Sequence, residues 1–193
     1  MSKRIAFLSA AAFGALILTA AAVAPVSAQD KMMKSEMSGE KTVMVGGAAM
    51  FPSKNIIQNA VNSKDHTTLV AAVKAAGLVD TLEGRGPFTV FAPTNAAFGK
   101  LPAGTVDTLV KPESKVTLTK ILTYHVVPGR LEASALTDGK KLKTVQGEEL
   151  TVKRSGNTVM IIDAKGGSST VTIPNVNQSN GVIHVVDTVL MPS

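Results

Sequence analysis

The spacing of hydrophobic residues predicts helices in the first half of the chain. In "SKNIIQNAVN", apolar residues at helical spacing follow a polar start, and Ser53 is the predicted N-cap. In "DHTTLVAAVKAAG", a second apolar stripe lies between a predicted cap at Asp65 and a terminating Gly77. Residues 79–82 predict a short helical turn. Two further helices, separated at Pro112, are predicted in "TVDTLVKPESKVTLTKILTYH".

The pattern changes in the segment "GPFTVFAPTNAAFGKLP". Residues 88–92 predict a short strand, which Pro93 ends. Either Thr94 or Asn95 is expected to cap a small helix, and Phe98 is expected to return to the core. These residues are therefore predicted to be structural.

Alternation of apolar and polar residues predicts strands in the second half. Three strands are expected over residues 141–145, 149–154 and 158–163, with Gly156-Asn157 as a two-residue hairpin turn. The segment "STVTIPNV" predicts another strand, and residues 181–191 predict the last. Helices first and strands afterwards indicate an α+β fold.

The N-terminal region has the composition of an export signal. Lys3 and Arg4 precede an almost wholly apolar stretch, and Val26-Ser27-Ala28 forms a small-x-small cleavage site. We expect residues 1–28 to be a signal peptide, and the product to be periplasmic or secreted without an integral membrane span. An uncleaved anchor is the alternative, because about 20 apolar residues can span a bilayer.

Residues 29–50 hold five of the eight methionines and few large aliphatic residues. This composition predicts a Met-rich flexible linker, followed by one domain over residues 51–193. Methionine thioethers bind Cu(I), so a metal-binding linker is the alternative. The irregular spacing and the lack of nearby histidines argue against it, and we expect no metal site and no cofactor. The five methionines are Met32, Met33, Met37, Met44 and Met50.

Charge and composition exclude other classes of protein. The chain has no cysteine, which excludes a disulfide framework. Removing residues 1–28 leaves 18 basic and 14 acidic side chains, a net charge of +4. This charge is too diffuse to indicate a nucleic-acid partner, and the lack of tryptophan leaves little for base stacking.

The three histidines are the candidate catalytic residues, and two of them lie in runs predicted to be strands. No G-x-S-x-G elbow, H-E-x-x-H helix or phosphate loop occurs, so we predict no catalytic residue and no enzyme activity. His184 is predicted to be a buried structural side chain, and Asp187 a structural residue that points to the opposite face. His125 fits either packing or an interface. His66 is expected to be exposed at a helix start.

Three segments, in this order and spacing, closely resemble the fasciclin-like domain family. They are "FTVFAPTNAAFGKLP", "LTYHVVPG" and "NGVIHVVDTVLMP", and the resemblance covers about residues 51–192. It implies a β-wedge or sandwich packed against an α-helical layer. It also implies an extracellular adhesion or matrix role, with a cell-surface protein or polysaccharide as partner.

The resemblance implies two partner-binding positions. In animal members, integrin adhesion is attributed to the Tyr-His segment, here Tyr124 and His125, and to an Asp-Ile pair, where this chain has Asn175 and Val176. The missing carboxylate argues against metal-bridged recognition, which needs an anionic oxygen ligand. A small-ligand carrier is the alternative function, and an enclosed cavity of roughly several hundred Å³ would favour it.

A basic group near the first strands of the β half is a candidate polyanion-binding surface. An antiparallel pairing of residues 141–145 with 149–154 is expected to bring its members toward the same end. The alternative is that these side chains guard an exposed sheet edge against aggregation. The group comprises Lys140, Lys141, Lys143, Lys153 and Arg154.

Overall fold

The computed structural model describes residues 41–193. The predicted signal peptide and the first part of the predicted linker lie outside these residues. Within residues 41–193, every helix is too short or too polar to cross a bilayer.

The helices are short and lie in the first half of the described chain. Asn55, rather than Ser53, caps the first one: its side chain accepts from the Gln58 N–H at 2.8 Å, and the Gln58 side chain accepts from the Asn55 N–H at 3.1 Å. The helices are α1 (Ile56–Ala60), α2 (Thr67–Ala76), α3 (Val79–Glu83), α4 (Asn95–Gly99), α5 (Thr105–Leu109) and α6 (Lys115–Tyr124).

Helix α2 begins after a 3₁₀ turn, Lys64–His66, so the predicted cap at Asp65 is wrong. Its predicted end is confirmed. Gly77 adopts a left-handed conformation with φ of 73°, and its N–H donates to the Lys74 carbonyl. A residue with a side chain rarely adopts this conformation, which explains the glycine.

Thr94 caps α4, which resolves the choice between Thr94 and Asn95. The Thr94 hydroxyl accepts from the Ala97 N–H at 3.2 Å. Asn95 instead links α4 to α2, because its side-chain oxygen accepts from the Thr68 N–H at 3.0 Å. Pro93 is the last residue of the preceding strand, and Phe98 is buried.

Seven strands form one sheet. The strands are β3 (Phe88–Pro93), β4 (Val126–Pro128), β5 (Lys141–Lys143), β6 (Glu149–Ser155), β7 (Thr158–Ile162), β8 (Ser168–Gln178) and β9 (Gly181–Val186). Their order in the sheet is β4-β3-β9-β8-β7-β6-β5. The pair β3 and β9 is parallel, and the other neighbours are antiparallel.

The predicted strands occur, and the main difference is at the end of the last one. β9 ends at Val186 rather than at residue 191, because the Asp187 side chain accepts from the Thr170 N–H at 2.8 Å and interrupts the ladder. The predicted Gly156-Asn157 turn joins β6 to β7, whose end residues Ser155 and Thr158 pair.

The two ends of the sheet come together after β5. The Val145 N–H donates to the Val126 carbonyl at 2.8 Å, and the Gln146 N–H donates to the Thr123 carbonyl at 3.3 Å. These contacts place the chain after β5 beside β4, so the sheet curls into a nearly closed wedge.

The wedge has an apolar core inside it and a second one between the sheet and the helices. Alternate residues of β3 face opposite cores, with Val90 and Ala92 toward the helices and Phe91 inside the wedge. The prediction of an α+β fold with a β-wedge against a helical layer is confirmed. The wedge core contains Phe91, Tyr124, Val127, Leu136, Leu142, Leu150, Val152, Val159, Ile161, Val186 and Leu190.

An N-terminal hairpin contributes to the helical core. Strands β1 (Val43–Val45) and β2 (Ala48–Met50) pair antiparallel, and Val45 and Met50 are only 4% and 3% exposed. The predicted flexible linker over residues 29–50 is therefore wrong in its last part, since residues 43–50 belong to the domain. Packing against distant helices orders this segment, and its local sequence does not reveal those contacts.

Gly181 allows β9 to approach β3 closely, and replacing it tests this contact. An added Cβ at Gly181 would lie 2.1 Å from the Phe88 carbonyl oxygen. Because the parallel register holds that oxygen in place, Gly181→Ala should lower the free energy of unfolding by about 2–3 kcal/mol. Urea unfolding measures this change. Gly99→Ala is the matched control, because an added Cβ there meets no atom within 4 Å; equal losses in both variants would contradict the close-approach argument.

Candidate functional site

His125 caps the C-terminus of α6. The prediction that it lies in a strand is therefore wrong. His125 is 2% exposed. The Leu190 N–H donates to its Nε2 at 3.0 Å, so Nε2 is unprotonated. Nδ1 therefore carries the proton and donates to the Ile121 carbonyl at 2.8 Å. This neutral ring ties α6 to the chain that follows β9.

His184 is fully buried in β9 and is fixed as the opposite tautomer. The Asn175 N–H donates to its Nδ1 at 3.4 Å, and its Nε2 donates to the Leu131 carbonyl at 2.7 Å. The ring stacks on Phe91 with a centroid distance of 5.7 Å. The structure thus places His184 in the core with both ring nitrogens partnered.

Burial keeps both of these histidines neutral. Desolvation lowers the pKa of His125 to about 4, against opposing contributions from the Ile121 carbonyl and Asp163. Desolvation also lowers the pKa of His184, against the Leu131 carbonyl and Glu132. A neutral ring with both nitrogens occupied has no free lone pair for a metal or a substrate.

Tyr124 is inaccessible from the surface. Its side chain is 0% exposed and lies in the wedge core. Its hydroxyl accepts from the Ala164 N–H at 2.9 Å and donates to the Glu149 carbonyl at 3.4 Å. The interpretation of Tyr124 and His125 as partner-contact residues does not fit this burial, because a partner cannot reach either side chain in the folded chain.

Asn175 and Val176 shape an irregularity in β8. The register against β9 shifts between Ile173 and Val176, and Asn175 has a left-handed φ of 56°. The Asn175 side-chain oxygen accepts from the Ala133 N–H at 2.7 Å. Asparagine tolerates the left-handed region better than most residues. Val176 is buried, so only the half-buried Asn175 retains any accessible surface.

His66 is buried, which corrects the expectation that it is exposed. Its Nδ1 lies 2.9 Å from the Ser63 hydroxyl, and its buried Nε2 has no hydrogen-bond partner among the described residues. Desolvation lowers the pKa of His66, while the Ala92 backbone and Asp65 oppose this shift. The ring lines a cavity of about 40 Å³ beneath the N-terminal hairpin, and Ser63 and His125 are its other polar lining residues. That volume holds a few water molecules at most.

The acidic residues near the histidines hold backbone groups. Asp187 accepts from the Thr170 N–H, and its other oxygen lies 3.4 Å from the Lys100 ammonium. Asp163 accepts from the Gly167 N–H at 2.7 Å and from the Met191 N–H at 3.1 Å. Over residues 41–193, no three His, Cys, Asp or Glu side chains form a group that can hold a metal ion.

The predicted basic group is divided by the strand register. Lys143 in β5 pairs with Glu149 at the start of β6, whereas Lys141 pairs with Thr151. Lys153 lies further along β6, so Lys143 and Lys153 lie toward opposite ends of this strand pair. The expectation that both basic groups lie toward one end is wrong for Lys143. Lys141 forms a 3.3 Å ion pair with the Glu149 side chain. Lys140 donates to the Ala135 carbonyl at 2.8 Å.

Arg154 is also engaged, since its Nε donates to the Gly156 carbonyl at 3.2 Å. Only Lys143 and Lys153 of the group lack a described hydrogen bond or ion pair. Three of the five side chains are therefore already engaged, and the strand register separates Lys143 from Lys153.

The domain also has a polar groove of about 580 Å³, which the sequence pattern does not predict. Its walls come from α1, the loop between α3 and β3, the turn between β8 and β9, and Arg130. The one sequence feature that marks this groove is the loop "GRG" at Gly84-Arg85-Gly86. The remaining walls are brought together only by the tertiary fold.

Tyr124→Phe tests the structural role of the tyrosine. The variant removes the acceptor of the Ala164 N–H and the donor to the Glu149 carbonyl, so the free energy of unfolding should fall by about 1 kcal/mol. Chemical denaturation measures the loss. If the variant unfolds like wild type, the hydroxyl does not stabilise the turn between β7 and β8.

Stability should fall as the pH falls through the histidine range. The folded pKa of His125, about 4, lies below the ordinary value of 6.5. The unfolded chain therefore binds a proton that the folded chain excludes between these values. Stability from this group is complete above pH 6.5 and declines by about 3 kcal/mol as the pH falls to about 4. The lowered pKa values of His66 and His184 act in the same direction.

Urea unfolding at several pH values between about 7 and 4 measures this decline. His125→Gln should be less stable at neutral pH but should lose less stability on acidification, with a slope shallower by up to about 1.4 kcal/mol per pH unit. Glu148 and Asp187, whose pKa values are lowered, add to the loss only in the most acidic part of the range. Identical pH slopes in wild type and variant would contradict the assignment of His125.

Comparisons with known proteins agree with the architecture. Residues 64–192 match the model of the fasciclin domain. The chain is similar in fold to the FAS1 domain pair from the insect cell adhesion molecule Fasciclin I, with a TM-score of 0.65 and 19% identity. The likeness covers 73% of this chain and 52% of that one.

Bacterial relatives share more of the sequence. Protein sll1483 of Synechocystis is 48% identical over 153 residues, 79% of this chain and 82% of the relative. Immunogenic protein MPB70 of Mycobacterium bovis is 42% identical over 138 residues, 69% of this chain and 66% of the relative. Cell surface glycolipoprotein MPB83 of Mycobacterium bovis is 40% identical over 153 residues, 77% of this chain and 64% of the relative. The resemblance found in the three sequence segments is thereby confirmed, and the chain belongs to the fasciclin domain family.

Proposed function

We propose that this chain is a non-enzymatic adhesion-type module that acts outside the cytoplasm. It contacts a cell-surface protein or polysaccharide through its outer surface. The signal peptide predicted over residues 1–28 supports export, and so does the similarity to a relative named as a cell surface glycolipoprotein. The fold that it shares with a domain pair from a cell adhesion molecule supports an adhesive role.

The observation that carries this proposal is the filled interior of the described domain. Both apolar cores consist of buried side chains, and the cavity between the sheet and the helices measures about 40 Å³. Sites for small molecules usually measure about 300–1,000 Å³. This volume argues against the alternative of a carrier that encloses a ligand, and it favours recognition on the surface.

The environment of the titratable residues supports a non-catalytic role. A general base needs an imidazole within reach of a substrate proton. His125 and His184 are buried, and their nitrogens are occupied by backbone partners. His66 faces a cavity too small for a substrate. These positions suit packing better than proton transfer.

A cell-adhesion assay tests the proposal. Surfaces coated with residues 29–193 should retain cells of the producing organism or of a host above an albumin-coated control. Tyr124→Phe should retain them as well as wild type when the coating is matched for folded protein, because Tyr124 is buried. Adhesion equal to the albumin control for every cell type would overturn the adhesive function. Selective loss in a well-folded Tyr124→Phe variant would restore the contact role of the Tyr-His segment.

A further inference from the structure

The polar groove differs from the closed cores because it is open, wide and lined by charged side chains. Its volume of about 580 Å³ is that of a typical small-ligand site. Arg85 and Arg130 contribute two guanidinium groups, and Glu83 contributes one carboxylate. The groove is therefore a concave surface with net positive charge.

The floor of the groove has a fixed shape. The Asn180 amide nitrogen donates to the Leu82 carbonyl at 2.6 Å and to the Gly84 carbonyl at 3.1 Å. The Asn180 side-chain oxygen accepts from the Ile56 N–H at 3.1 Å. One side chain thus joins α1, the end of α3 and the turn between β8 and β9. An added Cβ at Gly86 would lie 2.0 Å from the Asn180 carbonyl oxygen, so this close contact requires glycine.

The guanidinium of Arg130 is held in place before any ligand binds. Its Nη2 donates to the Gln178 carbonyl and, at 3.0 Å, to the Gly181 carbonyl. Its Nη1 and Nε have no described partner, so their N–H groups are free to bind an anion. Little side-chain freedom is then lost on binding, which favours affinity. Arg85 is exposed and has no hydrogen bond or ion pair among the described residues.

We propose that this groove binds an acidic saccharide, a sugar unit whose carboxylate lies beside hydroxyl groups. The inference rests on the proposed adhesive function and names the partner chemistry of one surface. The two guanidinium groups bind the carboxylate, since their planar forks match its geometry. Glu83, Gln58 and Ser179 line the same groove and supply acceptors and donors for hydroxyl groups.

The lining selects an acidic sugar over a neutral one. None of the described lining residues is aromatic, so a neutral sugar finds no ring to stack on. Charge-assisted hydrogen bonds to the carboxylate then supply most of the affinity. This binding should weaken as salt concentration rises, because the groove is open to solvent.

The lining also disfavours an acidic peptide. Pro87 is the only apolar side chain among the described lining residues, so the groove has no pocket for the aliphatic parts of peptide side chains. Glu83 repels a run of successive carboxylates, whereas it accepts hydrogen bonds from sugar hydroxyls. An acidic saccharide therefore suits the groove, because its carboxylate binds the two arginines and its hydroxyl groups donate to Glu83.

Titration of residues 29–193 with galacturonic acid oligomers tests the proposal, with binding followed by calorimetry and by NMR shifts of groove amides. Wild type should bind these oligomers and should bind neutral galactose oligomers at least about tenfold more weakly. Arg85→Gln should weaken binding by about tenfold without changing the melting temperature, since Arg85 makes no described contact. Arg130→Gln should weaken binding at least as much.

The double variant Lys143→Gln and Lys153→Gln is the matched control, because it removes two exposed charges outside the groove. Its affinity should equal that of wild type. Equal affinity for acidic and neutral oligomers, unchanged binding in Arg85→Gln, or tighter binding of polyglutamate would overturn the proposal. If Arg85→Gln binds the oligomers as tightly as wild type while cells still adhere to wild type, the saccharide proposal is wrong and the adhesive function stands. If wild type binds the oligomers but retains no cells, the adhesive function fails separately.

Discussion

The rest of the structure depends on one parallel strand pair that is buried on both faces. β3 and β9 pair from Phe88 with Gly181 to Pro93 with Val186, and every residue of β9 is buried. A parallel pair exposes apolar side chains on two sides and must be covered on both. The helical layer covers one face, and the curled part of the sheet covers the other. The fold therefore needs both cores.

Polar groups inside these cores fix the loops that surround the pair. A histidine offers one donor and one acceptor in a rigid ring, which no aliphatic residue provides. His184 uses them to hold the backbone at Leu131 and Asn175, and His125 uses them to hold Ile121 and Leu190. These two histidines occur within apolar runs because they form hydrogen bonds with backbone groups that would otherwise be buried without a partner. The same explanation covers the Tyr124 hydroxyl.

Local patterns predicted the elements that depend on neighbouring residues. The helices near residues 56–60 and 67–76, the glycine terminator and the hairpin turn at Gly156-Asn157 follow from spacing and turn chemistry. The N-terminal hairpin, the burial of His66 and the sheet closure at Val145 did not follow, because each depends on residues distant in sequence. The groove did not follow for the same reason, since Arg85 and Arg130 are distant in sequence and line it only in the folded domain. The family resemblance predicted the architecture, whereas two of the candidate contact residues, Tyr124 and His125, are buried.

Tyr124 and His125 are buried because they belong to the frame of the fold, in which both side chains bond backbone groups. Asn175 keeps some accessible surface, and it also has a structural role through its left-handed backbone and its bond to the Ala133 N–H. An aspartate at this position also tolerates that backbone region and offers the same acceptor oxygen. A change from Asp to Asn therefore preserves the frame whether or not a partner binds there. Residues that a partner can reach, such as Arg85, lie in loops where the frame imposes few such requirements, so partner choice can vary there without loss of the fold.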